Sequence, residues 1–261
     1  MGFVKTHQEI EAIESRLRNP QFFNAKVLQV QYETHPEVVR ALLPPPLAPV
    51  DSPTIYVRIG SYDSNCVGEF SGAGVYILAQ FEGTVGVYAI AMYMNTDAAV
   101  IFGRETFGEP KKMADIQFSH SPKSVSGTIT RHGVELISAS ADVNGDLGGG
   151  LSNSWAYNIK CWPSADGFGL EGDALLTATK FETTLRTNQS CSGSMELGCT
   201  VHDPLSDIPV VKLLQVNFFE GDHSTSSQVV ATIPTDVFLP YAYGRNDDWS
   251  ADFPSPISSA V

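Results

Sequence analysis

Gly103-Arg104-Glu105-Thr106-Phe107-Gly108-Glu109-Pro110-Lys111-Lys112-Met113-Ala114 places two adjacent lysines behind a proline, just after an apolar run that reads as a strand. Lys111 and Lys112 are the only neighbouring basic pair in the chain. Two ammonium groups crowded into a poorly hydrated pocket disfavour one another, and burial disfavours both, so one is pushed toward the neutral amine. A neutral lysine amine is the nucleophile that condenses with a ketone to give a Schiff base. Gly103, Gly108 and Pro110 bend the backbone around the pair. Upstream, Val85–Met94 and Ala98–Phe102 carry no charge, and Asp97 sits in the turn between them. These segments give the lysines an apolar wall.

Working outward, 261 residues with 43% hydrophobic and 17% charged side chains predict one folded domain with a substantial core. The formal net charge is −13, and no Lys or Arg occurs from Ile59 to Gly103. That argues against nucleic acid or an anionic membrane as partner, since both need a positive surface. No apolar run approaches the roughly 20 residues that cross a bilayer. The N-terminus lacks a signal-peptide core. Cys66, Cys161, Cys191 and Cys199 form no Cys-x-x-Cys and lack a nearby histidine cluster, so they read as reduced thiols in a cytoplasmic protein. Asn188-Gln189-Ser190 is a glycosylation sequon in spelling only.

Helical spacing of Ile10, Ile13 and Leu17 predicts a first helix within His7–Arg18. Thr34 with Glu37 reads as the capping box of a second, which Pro44-Pro45-Pro46 ends. Strands are predicted at Ile55–Ile59, Val75–Phe81, Val87–Met94, Ala99–Phe102, Ser126–Arg131, Val134–Val143, Leu175–Leu185, Ser194–His202, Leu213–Phe219 and Gln228–Ile233, from β-branched and aromatic runs between turn residues. A short helix is expected at Thr235–Tyr241. The glycine-rich Gly145–Gly150 segment follows no strand–turn–helix pattern and reads as a connection between strands, not a phosphate loop. The class is α+β, mostly β: a curved antiparallel sheet with helices at its periphery. A single domain over residues 1–261 is expected, with residues 1–24 as a helical extension and 246–261 as a loosely ordered tail.

Three blocks carry a resemblance to a known family. They are Tyr93-Met94-Asn95 through Gly103-Arg104-Glu105 to Pro110-Lys111-Lys112; Phe81-Glu82-Gly83 upstream; and Asp203-Pro204-Leu205-Ser206-Asp207-Ile208-Pro209-Val210. With these blocks the chain resembles the acetoacetate decarboxylase superfamily over roughly residues 25–245. The resemblance implies a cone-like β-barrel, a homo-oligomer and cofactor-independent chemistry. It also implies that Lys111 forms the Schiff base and that Lys112 is the charge that activates it; this mode of activation is the family's known mechanism. Family members that decarboxylate acetoacetate carry an arginine and a Tyr-x-Glu glutamate where this chain reads Asn24-Ala25-Lys26 and Phe70-Ser71-Gly72.

The resulting expectation is a carbon–carbon lyase acting on a keto acid or ketone, first of all a decarboxylase of a β-keto acid. A Schiff-base aldolase, dehydratase or cyclase on the same scaffold is the alternative, and a non-catalytic ligand-binding barrel is a second one. Catalytic candidates are Lys111, Lys112, Glu105 and Glu69. Arg58, Arg104, Lys26 and Tyr93 are candidates for contacting substrate, with Arg58 able to fork onto a carboxylate. His120, His132 and His202 are scattered and none is singled out. Tyr88, Trp155, Tyr157 and Trp162 read as core residues or as pocket lining.

Overall fold

The computed structural model describes residues 2–249. Helix α1 (His7–Leu17) opens the chain, closed at its start by a reciprocal capping box between Thr6 and Glu9. Strand β1 begins at Gln21 and runs to Glu33, so the extension is four residues shorter than expected. Helix α2 spans Pro36–Leu42 and starts at His35 without a side-chain cap. Thr34 is not the cap: it is buried, and its N–H donates to the Pro53 carbonyl. Pro36 fixes the first helical φ instead.

Next come β2 (Ala48–Pro49), β3 (Thr54–Ser64), β4 (Gly68–Phe81) and β5 (Thr84–Met94). Helix α3 (Asp97–Phe107) follows, capped by Thr96 at its start and by Gly108 in the left-handed region at its end. The strand expected at Ala99–Phe102 is therefore helix. Strands β6 (Lys111–Met113), β7 (Asp115–His120), β8 (Ser124–Arg131), β9 (Val134–Asp146) and β10 (Gly150–Lys160) complete the first two thirds. Two long strands, β11 (Ala174–Leu197) and β12 (Lys212–Ile233), precede α4 (Thr235–Tyr243). Each long strand joins two shorter predicted ones. The Ser, Thr and Asn residues between them have the composition of a turn but pair in register with neighbouring strands. β11 does end at Leu197, short of His202.

All twelve strands form one curved mixed sheet in the order β10-β5-β4-β3-β1-β12-β11-β9-β8-β7, with β2 and β6 added at β4 and β5. Most pairs are antiparallel; β10–β5 and β5–β6 are parallel, so the sheet is not purely antiparallel. β10 pairs with β11 as well as β5, which brings the path β5-β4-β3-β1-β12-β11-β10 back on itself. The first half of β11 serves β10, and the second half serves β9.

Alternation along each strand divides the side chains between the two faces. On β1, Leu28, Val30 and Tyr32 enter the main core with Ile55, Val57 and Ile59 of β3 and Val75 and Ile77 of β4. The β7–β9 arm brings Val125, Ile129, Leu136 and Ile137 to the same core. Gly127 permits that approach, because a Cβ there would stand 2.6 Å from Ile59 Cγ2. Val27, Gln29 and Gln31 take the opposite face and line a cavity. Among the described residues no helix is long and apolar enough to cross a membrane.

Candidate active site

The lysine stretch folds as a helix end, a left-handed turn and a short strand. Gly108, at φ 78°, stops α3 where a Cβ would collide with the β10 backbone at Ile159 and Lys160. Pro110 then leads into β6, where Lys111 lies opposite Met92 of β5. Two arginines hold this corner. Arg104 donates to the Lys111 carbonyl at 3.0 Å, and Arg245 donates to the carbonyls of Ile159 (2.6 Å) and Gly108.

Lys111 is 7% exposed and lines a cavity of about 570 Å³. Its Nζ lies 2.7 Å from Glu109 Oε2. Gly103 makes room for both, since a Cβ there would strike the Glu109 carboxylate and the Lys111 stem. The cavity wall includes Phe22, Tyr62, Phe70, Met92 and Met94, with Tyr56, Tyr76 and Arg58 beside them. Arg58 donates from Nε to Gln29 Oε1 at 2.8 Å and lies over the rings of Tyr56 and Tyr76, 5.7 and 5.4 Å from their centroids. Burial pushes Tyr62 up to about 12, opposed by the Arg58 charge, and raises Tyr76 as well. Both hydroxyls therefore stay protonated and are available to a bound molecule as donors. His223 is held down to about 4 by burial and by the Arg58 charge, so it is neutral near pH 7. Two buried amide oxygens in the wall, Asn158 Oδ1 and Asn217 Oδ1, have no partner among the described residues. A bound molecule carrying donors would satisfy them.

Lys112 belongs to a different cluster. It is absent from the cavity wall, and its Nζ donates to Asp203 Oδ1 at 3.0 Å and to the His202 carbonyl at 2.6 Å. Asp247 Oδ1 is 3.1 Å away. Arg131 bridges the same two carboxylates at 2.7 and 2.5 Å. Burial alone would raise Asp247, but hydrogen bonds from Arg131 and Lys112 hold it well below the usual carboxylate range. The two lysines thus do not share a pocket, and two carboxylates offset the Lys112 charge. Asp247 also ties down the start of the expected loose tail; residues 250–261 lie outside the described residues.

The remaining sequence candidates divide by strand and helix periodicity. Arg58 is in the cavity wall with Lys111. Tyr93 is fully buried between the cavity residues Met92 and Met94, faces the other way and donates to Asp203 at 3.1 Å. Lys26 precedes the cavity residue Val27 and is not part of the wall. Glu69 is exposed opposite Asp63 at the end of the β3–β4 pair. Glu105 is exposed on α3 and, with Arg104, borders a separate cleft with Trp162 and Tyr243. Glu109, the acid that does meet Lys111, is not among the sequence candidates; its spacing two residues before Lys111 is the signal that points to it.

Residues 8–232 match the sequence profile of the family described as acetoacetate decarboxylase (ADC). Acetoacetate decarboxylase from Ralstonia nicotianae is 26% identical over 206 residues, covering 77% of this chain and 83% of its own length. Among solved structures, acetoacetate decarboxylase from Legionella pneumophila superposes with a TM-score of 0.75 at 22% identity, over 82% of this chain and 87% of that one. The enduracididine biosynthesis enzyme MppR, complexed with the condensation product of pyruvate and imidazole 4-carboxaldehyde, gives a TM-score of 0.68 at 14% identity over 80% and 88%. The profile match runs through β1 to β12 and takes in both Lys111 and the Asp203 block that receives its neighbour; the chain belongs to the acetoacetate decarboxylase family.

Proposed function

We propose that this protein is a Schiff-base lyase in which Lys111 attacks a keto substrate, with decarboxylation of a β-keto acid as its reaction. One observation carries the reading: a lysine, 7% exposed, opens onto a cavity of about 570 Å³ with a carboxylate 2.7 Å from its Nζ. Glu109 is positioned to take the proton that Lys111 must lose before its lone pair can attack. The nitrogen bonds to the carbonyl carbon, and the carbinolamine loses water to give a protonated imine. The bond to the carboxylate then breaks. Its electron pair moves toward the iminium nitrogen, leaving an enamine and carbon dioxide. A proton returns to the enamine carbon from protonated Glu109 or from a phenol such as Tyr76, and water hydrolyses the imine to free ketone and amine.

A second reading, imine-dependent condensation, has support from the size of the cavity, which exceeds the needs of a four-carbon acid and leaves room for a second reactant. MppR, whose fold is similar, was solved with a condensation product. Borohydride reduction in the presence of candidate β-keto acids, followed by mass spectrometry, tests the common step. An adduct on Lys111, absent from Lys111→Ala, is expected. Carbon dioxide release then separates decarboxylation from condensation. Reversible binding with no adduct on any lysine overturns both.

A further inference from the structure

We propose that the substrate carries a carboxylate that is retained, and that Arg58 grips it three strands along the cavity wall from Lys111. This inference rests on the imine reading above. Its basis is an unbroken row of directly opposed residues on neighbouring strands: Lys111 faces Met92, Met92 faces Gly74, Gly74 faces Arg58, Arg58 faces Gln29 and Gln29 faces Asn217. All six line the cavity. Lys111 and Arg58 are therefore three strand spacings apart, roughly 14 Å along the curved wall. The two positions between them bear no polar side chain. Gly74 lacks one altogether, and the Tyr76 ring lies where its Cβ would stand.

Charge balance points the same way. The ionisable side chains in the wall, apart from tyrosines and the neutral His223, are Lys111, Glu109 and Arg58. Glu109 is taken by Lys111. Arg58 has no carboxylate partner among the described residues; its Nε donates to Gln29, and two tyrosine faces flank the guanidinium. Half-buried in the wall and without a carboxylate partner, the guanidinium is left for a ligand to pair. Its planar fork matches a carboxylate. A single free cation balances one negative charge, which favours a carboxylate over a doubly charged phosphate.

That carboxylate is not the one that leaves. In a β-keto acid the departing group is two bonds from the carbon Lys111 attacks, so it stays at the lysine end of the row. An arginine fork on it would also stabilise the ground-state anion, whose charge is lost in the transition state, and so slow the reaction. Arg58 suits a second carboxylate, as in a keto diacid that loses one carboxyl group and keeps the other.

Levulinate and methyl propyl ketone form a matched pair of product-like probes that differ in the terminal carboxylate. Calorimetric binding and borohydride trapping are measured for each with wild type, Arg58→Gln and Arg58→Lys. The expected result is that wild type binds levulinate about 10- to 100-fold more tightly than the neutral ketone. That preference collapses in Arg58→Gln and is partly kept in Arg58→Lys. Equal binding of the two probes, or a preference that survives in Arg58→Gln, overturns the anchor while any trapping on Lys111 leaves the imine reading intact. An Arg58-dependent preference without trapping sinks the imine reading and leaves the anchor standing.

Discussion

Lys111 and Lys112 are consecutive in the chain, yet one opens onto the cavity beside Glu109 and the other is locked between Asp203 and Asp247. Alternation along β6 separates them. Lys112 with Arg131 balances two carboxylates, and Asp203, with 2% of its side chain exposed, has little water to fall back on. Lys112→Met leaves one of these anions uncompensated. A loss of about 3 kcal/mol in urea-unfolding stability is expected. A variant of unaltered stability whose only change is a displaced activity–pH profile would refute this assignment.

Gly103 bears directly on the position of the nucleophile. In Gly103→Ala the new methyl meets the Lys111 stem and the Glu109 carboxylate, and one of them has to move. Overpacking of this kind costs about 1–3 kcal/mol. The larger effect is kinetic: a displacement near 1 Å lowers turnover by about 100-fold. Circular dichroism should show a folded protein while single-turnover trapping is slowed. Full activity in this variant would mean that the lysine does not depend on that packing.

Glu109 is the acid within reach of the Lys111 amine. Glu109→Gln keeps the shape and removes the proton acceptor, so kcat is expected to fall by about 100-fold or more. Imine formation, followed by trapping of a simple ketone, should slow in parallel. If trapping and turnover both proceed at the wild-type rate, the proton passes through another group.

Much of this arrangement is legible in the sequence, and the remainder is hidden there for identifiable physical reasons. The Lys111 block and the Asp203 block stand in the sequence as separate marks of one family; in space Lys112 and Tyr93 join them at Asp203. The strand expected at Ala99–Phe102 came from Val100, Ile101 and Phe102, whose side chains favour sheets, and the competing signal was the Thr96 cap with Asp97 in the first turn. Once α3 is a helix, Glu105 lies about 200° around the axis from Gly103, away from the lysine. Tyr93 and Lys26 failed by strand parity: each neighbours a cavity residue and so faces the other side. Sequence shows that a strand alternates but not which of its two faces is inside, and that depends on partners distant in the chain.

His223 gives the fold a specific acid sensitivity. It stacks on Phe22 with centroids 4.8 Å apart and also meets Tyr62 and Phe181. Burial and the Arg58 charge hold it down to about 4 from an ordinary 6.5, with Asp222 acting in the opposite direction. Between those two values the unfolded chain carries a proton on this residue that the folded chain does not. Acidification through that window therefore draws the equilibrium toward the unfolded state, by at most about 3 kcal/mol. The depressed carboxyls Asp222 and Asp247 start from an ordinary 3.8, so most of their contribution is lost at lower pH. Urea midpoints recorded from pH 7 to pH 4 should fall steadily in wild type and much less in His223→Gln. If both proteins follow the same curve, the imidazole takes up its proton in the folded chain as readily as in the unfolded one, and the cavity around Arg58 is wetter than its aromatic lining implies.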